Sequence, residues 1–220
     1  DAETGFALGL SNVQLWTRSR ERPDKEERDR AKLPIELKES YKWLASAERS
    51  QRCYQRGEAK IITHIGDREA DLYEEWATVP DRYNHVLVRV HQDRRLFGQT
   101  QSLYTYLSAQ PCEGTYSVQV MADPRTGRTA REALLGICCA SVQIQRPEKL
   151  KGEDYPPSIK LYAVEAKEVN PPDGQDPIHW RLMTTHPVVA IEQSLQVIQW
   201  YCWRWWIEQL FAPLKLAGLD

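Results

Sequence analysis

The sequence predicts an α/β protein built on a mixed sheet, and three stretches carry that expectation. The β-branched run "AKIITHIGD" ends in Gly66-Asp67 and leads straight into the helical pattern "READLYEEWATV". Strand-like runs at "TYSVQVM", "EALLGICCASVQIQ" and "IKLYAVEAKEV" are parted by Pro, Gly and charged turns, so residues 95 to 176 read as mostly β. Near the end of the chain, "YCWRWWIEQLFAPLK" repeats its apolar residues at helical spacing.

In chain order, residues 1 to 16 read as a turn feeding a strand, and residues 17 to 33 as a charged, solvated loop. A helix is expected from about Ile35 to Arg56, with Leu37, Tyr41, Leu44 and Ala45 among its apolar positions. The strand, turn and helix at 59 to 79 form the α/β unit that presents a residue at the carboxyl end of a strand, and Asp67 holds that place. Glu69, Asp71, Glu74 and Glu75 then read as solvating the following helix, the early ones complementing its dipole. "HVLVRVH" gives a second strand from Val86 to His91. "NPPDGQDP" is a rigid return, "IHWRLMTTH" a further strand, and a long helix begins near Val189. Three units follow: 1–93, 94–176 and 177–220.

Composition narrows the function classes. The chain has 220 residues, 41% hydrophobic and 27% charged, which suits a globular protein with a sizeable core. No apolar run approaches the length of a membrane span. Five cysteines without paired spacing fit a reducing cytoplasm, and adjacent Cys138 and Cys139 read as small core residues. His64, His85 and His91 lack ligand spacing. The formal charge of −2 means that any surface for nucleic acid must be local.

The terminal helix raises the functional question. At about 100° per residue, and with Tyr201 as zero, Arg204, Glu208 and Lys215 fall at about −60°, −20° and −40°, one narrow stripe. Trp203, Trp206, Ile207, Leu210 and Leu214 fall on the opposite side, the face expected to enter the core. Periodicity by itself favours an ordinary amphipathic helix with a solvated charged face.

Tyr201, Arg204, Glu208 and Lys215 spell Y-x2-R-x3-E-x6-K, and the earlier segment reads "GDREADLYE". With "KESYKW", "VRV", "VNPP" and a tryptophan ahead of the helix in the same order, the chain resembles the DDE transposases of the insertion-sequence-four family. The resemblance implies a ribonuclease-H-like mixed sheet with flanking helices, interrupted by a mostly β insertion. It implies a cut-and-paste transposase that cleaves and joins DNA phosphodiesters at transposon ends by two-metal chemistry. Asp67 and Glu208 would be catalytic and hold Mg²⁺ or Mn²⁺, since hard divalent cations take oxygen ligands and two of them can flank a reacting phosphodiester. Tyr201, Arg204 and Lys215 would contact phosphates.

Two more positions follow from the resemblance. Trp180 stands 21 residues before Tyr201, where the family stacks a base flipped out of the transposon end. A core tryptophan on a strand is the other reading of that residue. Arg89 matches an arginine that touches DNA beside that base, and an arginine in an apolar strand needs an anion or carboxylate partner.

Ala212 stands where the family tends to have a second lysine, and Pro213 would kink the helix before Lys215. The family's first aspartate belongs to a strand ahead of residue 1, so the first strands are expected to be missing and the chain to be inactive by itself. The implied partners are double-stranded DNA at transposon ends and target DNA, with a homodimer at full length and no membrane. The implied setting is the bacterial cytoplasm, associated with the nucleoid. The alternative is a non-catalytic DNA-binding or regulatory remnant.

Overall fold

The computed structural model describes residues 1–14, 33–54, 59–122, 129–152 and 154–216, with only the backbone at 214–216. The expected charged loop at 17 to 33 falls outside these residues except for its last position. The described molecule is an α/β fold around one mixed six-stranded sheet. Its strands are β1 (Ile62–Gly66), β2 (Asn84–Arg89), β3 (Gly114–Val120), β4 (Arg131–Gln145), β5 (Ser158–Glu168) and β6 (His179–Thr184). They lie in the order β1-β2-β6-β5-β4-β3.

Only β1 and β2 are parallel, and every other pair is antiparallel. A parallel pair needs a crossover rather than a hairpin. Residues 67 to 83 supply it with a 3₁₀ turn, Arg68–Ala70, and the short helix α2, Tyr73–Thr78. The turn is tight enough that a Cβ on Gly66 would come 2.2 Å from Cβ of Ala70, so glycine is required there.

Helices cover both faces. Helix α1 (Tyr41–Tyr54), α2 and α3 (Leu103–Ser108) pack on one side, where Ala47, Tyr73, Trp76, Leu103 and Leu107 meet Val86, Val88, Leu161, Ala163 and Met183. Helix α4 (Ile191–Trp203) packs on the other, setting Val197, Ile198 and Tyr201 against Leu87, Val164, Ala166 and Leu182. As a central strand covered on both sides, β5 is buried almost without a break from Leu161 to Ala166, Glu165 included.

Several expectations need correction. Residues 5 to 14 make no strand; after the turn at 2–4, the segment runs over α4 and α1 instead of joining a sheet edge. Gly5 lies against Trp203, Trp200 Nε1 donates to the Ala2 carbonyl at 3.3 Å, and the Ser11 and Ser50 hydroxyls meet at 2.9 Å. The expected helix from Ile35 is interrupted, because a 3₁₀ turn at Ile35–Leu37 ends in extended Lys38 and α1 starts only at Tyr41. Leu37 is exposed. The second strand starts at Asn84 and stops at Arg89, since the Asp71 carboxylate accepts the backbone N–H groups of His91 and Gln92 beyond it. Helix α3, capped by Ser102, sits within the stretch that reads as β.

The largest correction concerns the terminal helix. It breaks at Arg204 into α4 and α5 (Trp205–Leu216), with Pro213 inside α5. Trp206, Ile207 and Leu210, expected in the core, are exposed, and Trp205 is 62% exposed. Arg204 itself keeps a right-handed helical conformation (φ −52°, ψ −26°), and beyond it the apolar residues Trp205 to Ile207, Leu210 and Phe211 are exposed.

Candidate functional site

The carboxyl ends of β1 and β2 bring the sequence-marked residues toward one side of the sheet. Side chains two apart on a strand share a face. Ile65 and Leu87 are register partners and pack in the α4-side core, so Asp67, extended at φ −87° and ψ −159°, continues that face one step past β1. Arg89 continues it two residues beyond Leu87, and Trp180 two residues before Leu182 on β6.

Helix α4 reaches the same place from above. The Trp180 and Tyr201 rings meet edge to face with centroids 6.2 Å apart. Arg204 lies with its guanidinium carbon 5.9 Å from the Tyr201 ring centre, and both its terminal nitrogens stand 3.4 Å from Glu208 Oε1. The polar stripe of Tyr201, Arg204 and Glu208 therefore survives the break in the helix, because the break falls at Arg204 itself and i,i+4 neighbours stay in reach. Tyr201 is buried, while Trp180, Arg204 and Glu208 are half-exposed. Lys215 lies on α5, its side chain outside the described residues.

Asp67 is set by its own turn. Its Oδ1 accepts the Glu69 N–H at 2.9 Å and caps the 3₁₀ turn, and Lys42 of α1 holds Glu69 at 2.6 Å. Among the described residues no hydrogen bond or ion pair joins Asp67 to Glu208. Carboxylate oxygens are the hard donors that magnesium and manganese prefer, so the two residues suit such an ion by type. Among the described residues no cluster of three or more His, Cys, Asp or Glu side chains forms a metal site. Arg89 finds a different partner from the carboxylate expected: its Nη2 donates to the His179 carbonyl at 3.3 Å.

The solvated reading holds for Glu69, which is exposed, and fails for Asp71, Glu74 and Glu75, which are all buried. Asp71 is satisfied by Arg94, whose Nε and Nη2 donate to its Oδ1 at 2.9 and 2.6 Å, and by two backbone N–H groups on Oδ2. Arg94 in turn stacks over Trp76 at 4.5 Å. Glu75 has no such partner for Oε2. Burial, reinforced by the nearby Asp71 charge, pushes its pKa up to about 8, so it is protonated at neutral pH.

Sequence reasoning also passed over a histidine group at the other end of the α4 face. His85 and His186 stack at 3.9 Å, Trp200 lies 4.9 Å from His186, and the Thr63 hydroxyl meets His186 Nε2 at 2.8 Å. Burial, with His85 adding to it, lowers the His186 pKa to about 4. His64 is hydrogen-bonded to Asn84 at 3.4 Å and His85 to the Thr185 hydroxyl at 3.1 Å, as structural histidines are.

No helix among the described residues is long and apolar enough to cross a membrane. No protein-family model matches the chain.

Proposed function

We propose that this chain is part of a cut-and-paste DNA transposase with a ribonuclease-H-like core, acting on phosphodiesters at transposon ends. The observation that carries the reading is the run of contacts from Trp180 through Tyr201 and Arg204 to Glu208, on the sheet face that Asp67 and Arg89 continue. These residue types recognise phosphates and an unstacked base together. Arg204 and Arg89 offer planar forks to phosphate oxygens, and Trp180 offers a half-exposed indole on which a base can stack. Tyr201 Oη can donate to a phosphate oxygen at the same spot, and its ring holds Trp180 in orientation.

Asp67 and Glu208 would hold magnesium or manganese, and the ion when bound would sharpen the attacking oxygen and stabilise the leaving one. Until an ion or phosphate draws it away, Arg204 neutralises Glu208. The resemblance calls for a third carboxylate to complete the site with Asp67 and Glu208. Partners are duplex DNA ends and target DNA.

The test is a nicking assay with the natural protein extended upstream through the expected aspartate, on a plasmid carrying the DNA that flanks its gene. Magnesium-dependent nicking that Glu208→Gln abolishes supports the enzyme reading. DNA binding with no nicking in magnesium or manganese assigns the non-catalytic alternative instead.

A further inference from the structure

The chain as a whole carries a formal charge of −2, yet one face of α1 is basic. Lys42, Ala45 and Arg49 share one face of α1, and Lys38 stands in extended conformation just before the helix begins. Together they wall a cleft of about 400 Å³ whose far side is Val13 and Gln14, with Tyr41 and Glu39 also lining it. Lys38, Lys42 and Arg49 line it together with Glu39, and Lys42 is also paired with Glu69 at 2.6 Å.

The far wall is pinned in place. Gln14 Nε2 donates to the Lys42 carbonyl at 3.1 Å, and Arg49 Nη1 donates to Asn12 Oδ1 at 3.3 Å. The cleft also opens beside the candidate site, because Lys42 holds Glu69, and the Glu69 backbone N–H holds Asp67 Oδ1.

We propose that this cleft is a track for a DNA phosphate backbone, carrying a strand away from the Asp67 end of the sheet along α1. The inference rests on the DNA reading given above and adds a surface that the terminal-helix motif does not include. Spacing favours a polyanion over a single phosphate. Lys42 and Arg49 are separated by about 10 Å along the helix axis, and Lys38 precedes the helix, whereas a lone phosphate needs donors converging on one point. A DNA strand presents a charge about every 3.4 Å of helix axis, so a row of cations meets several phosphates in succession. The Tyr41 hydroxyl and the Gln14 carboxamide supply neutral donors of the kind that position a backbone without reading its sequence. Binding along this track is therefore sequence-independent and weakened by salt.

The experiment is fluorescence anisotropy of the 220-residue chain with a labelled duplex of roughly 20 base pairs, from about 25 to 200 mM KCl. Lys38→Glu/Arg49→Glu is expected to lower affinity at least about tenfold, and the milder Lys38→Gln/Arg49→Gln to shrink the slope of log K against log salt by about 1 to 2. Lys151→Glu/Lys160→Glu makes the same charge change at exposed lysines by the β4–β5 connection and on β5, and is expected to change affinity less than about twofold. Normal melting of the Gln pair shows that the fold is intact.

If wild type binds and the Gln pair keeps both affinity and salt slope, the track is overturned while the DNA reading stands. If wild type shows no salt-dependent binding, both fall. Equal loss in the β5-side control, or displacement of DNA by polyglutamate at matched charge, likewise overturns the assignment to a phosphate backbone.

Discussion

Helices α4 and α5 are two arms of one tryptophan-rich, amphipathic run, and they meet opposite fates. Ile198 on α4 is fully buried against β2, β5 and β6, while Ile207 on α5 is 40% exposed. The residue types and their period are alike on both arms; what differs is whether a sheet lies underneath. Apolar periodicity thus reports that a face is available for burial, and a partner surface decides whether the burial occurs.

The largest expected effect sharpens that contrast directly. Ile198→Ala should destabilise by about 2–5 kcal/mol, since it opens a cavity in a close-packed layer. Ile207→Ala should stay within about 0.5 kcal/mol. Urea unfolding of the two variants at equal pH measures both, and equal losses would mean that α5 is packed after all.

Burial carries a cost on the opposite face of the sheet. Glu75 is protonated when folded up to about pH 8 but ionises near pH 4.5 when unfolded, so the folded state holds the extra proton between those values. Its contribution is full below about pH 4.5 and is lost as pH rises toward 8. Glu75→Gln should remove that slope, raising stability at pH 8 by on the order of a few kcal/mol and changing little at pH 5. Thermal melts at the two pH values check it.

His186 tests the α4 side in the other direction. It stays neutral in the fold down to about pH 4, whereas its unfolded form gains a proton below about 6.5, so stability should fall as pH drops through that window. His186→Asn should flatten the fall, and the Trp200 contact makes tryptophan fluorescence a second readout. The smallest effect belongs to α5: Trp206→Ala should leave the melting temperature nearly unchanged, and acrylamide should quench Trp206 readily in the native chain.

Legibility differed by residue. Asp67 was readable because a β-branched run closing in Gly-Asp puts its last residue at a strand end whatever the rest does. The Tyr201, Arg204 and Glu208 stripe was readable because i,i+3 and i,i+4 contacts depend only on local helix geometry, and it persisted across the break. The break itself left no mark, since "CWRWWI" holds neither glycine nor proline. The burial of Asp71 was hidden because its partner, Arg94, lies 23 residues away, and a charged pair is indistinguishable from two solvated charges until the chain brings them together. Arg89 satisfied a guanidinium nitrogen with a carbonyl of β6, a donor–acceptor match that no pattern of side chains announces.

By itself the sequence determined the local quantities: the strand runs, the crossover at 59–79 and the charged stripe on the terminal helix. These follow from backbone periodicity and turn chemistry, which act over a few residues. Only the tertiary structure decided that β2 pairs with β6, so that one sheet joins the crossover unit to the β-rich segment. It also decided which carboxylates are buried and which half of the last amphipathic run meets a sheet. Those outcomes depend on what lies across from a side chain in space, and chain separations of 23 residues or more set that through the fold, not through local pattern.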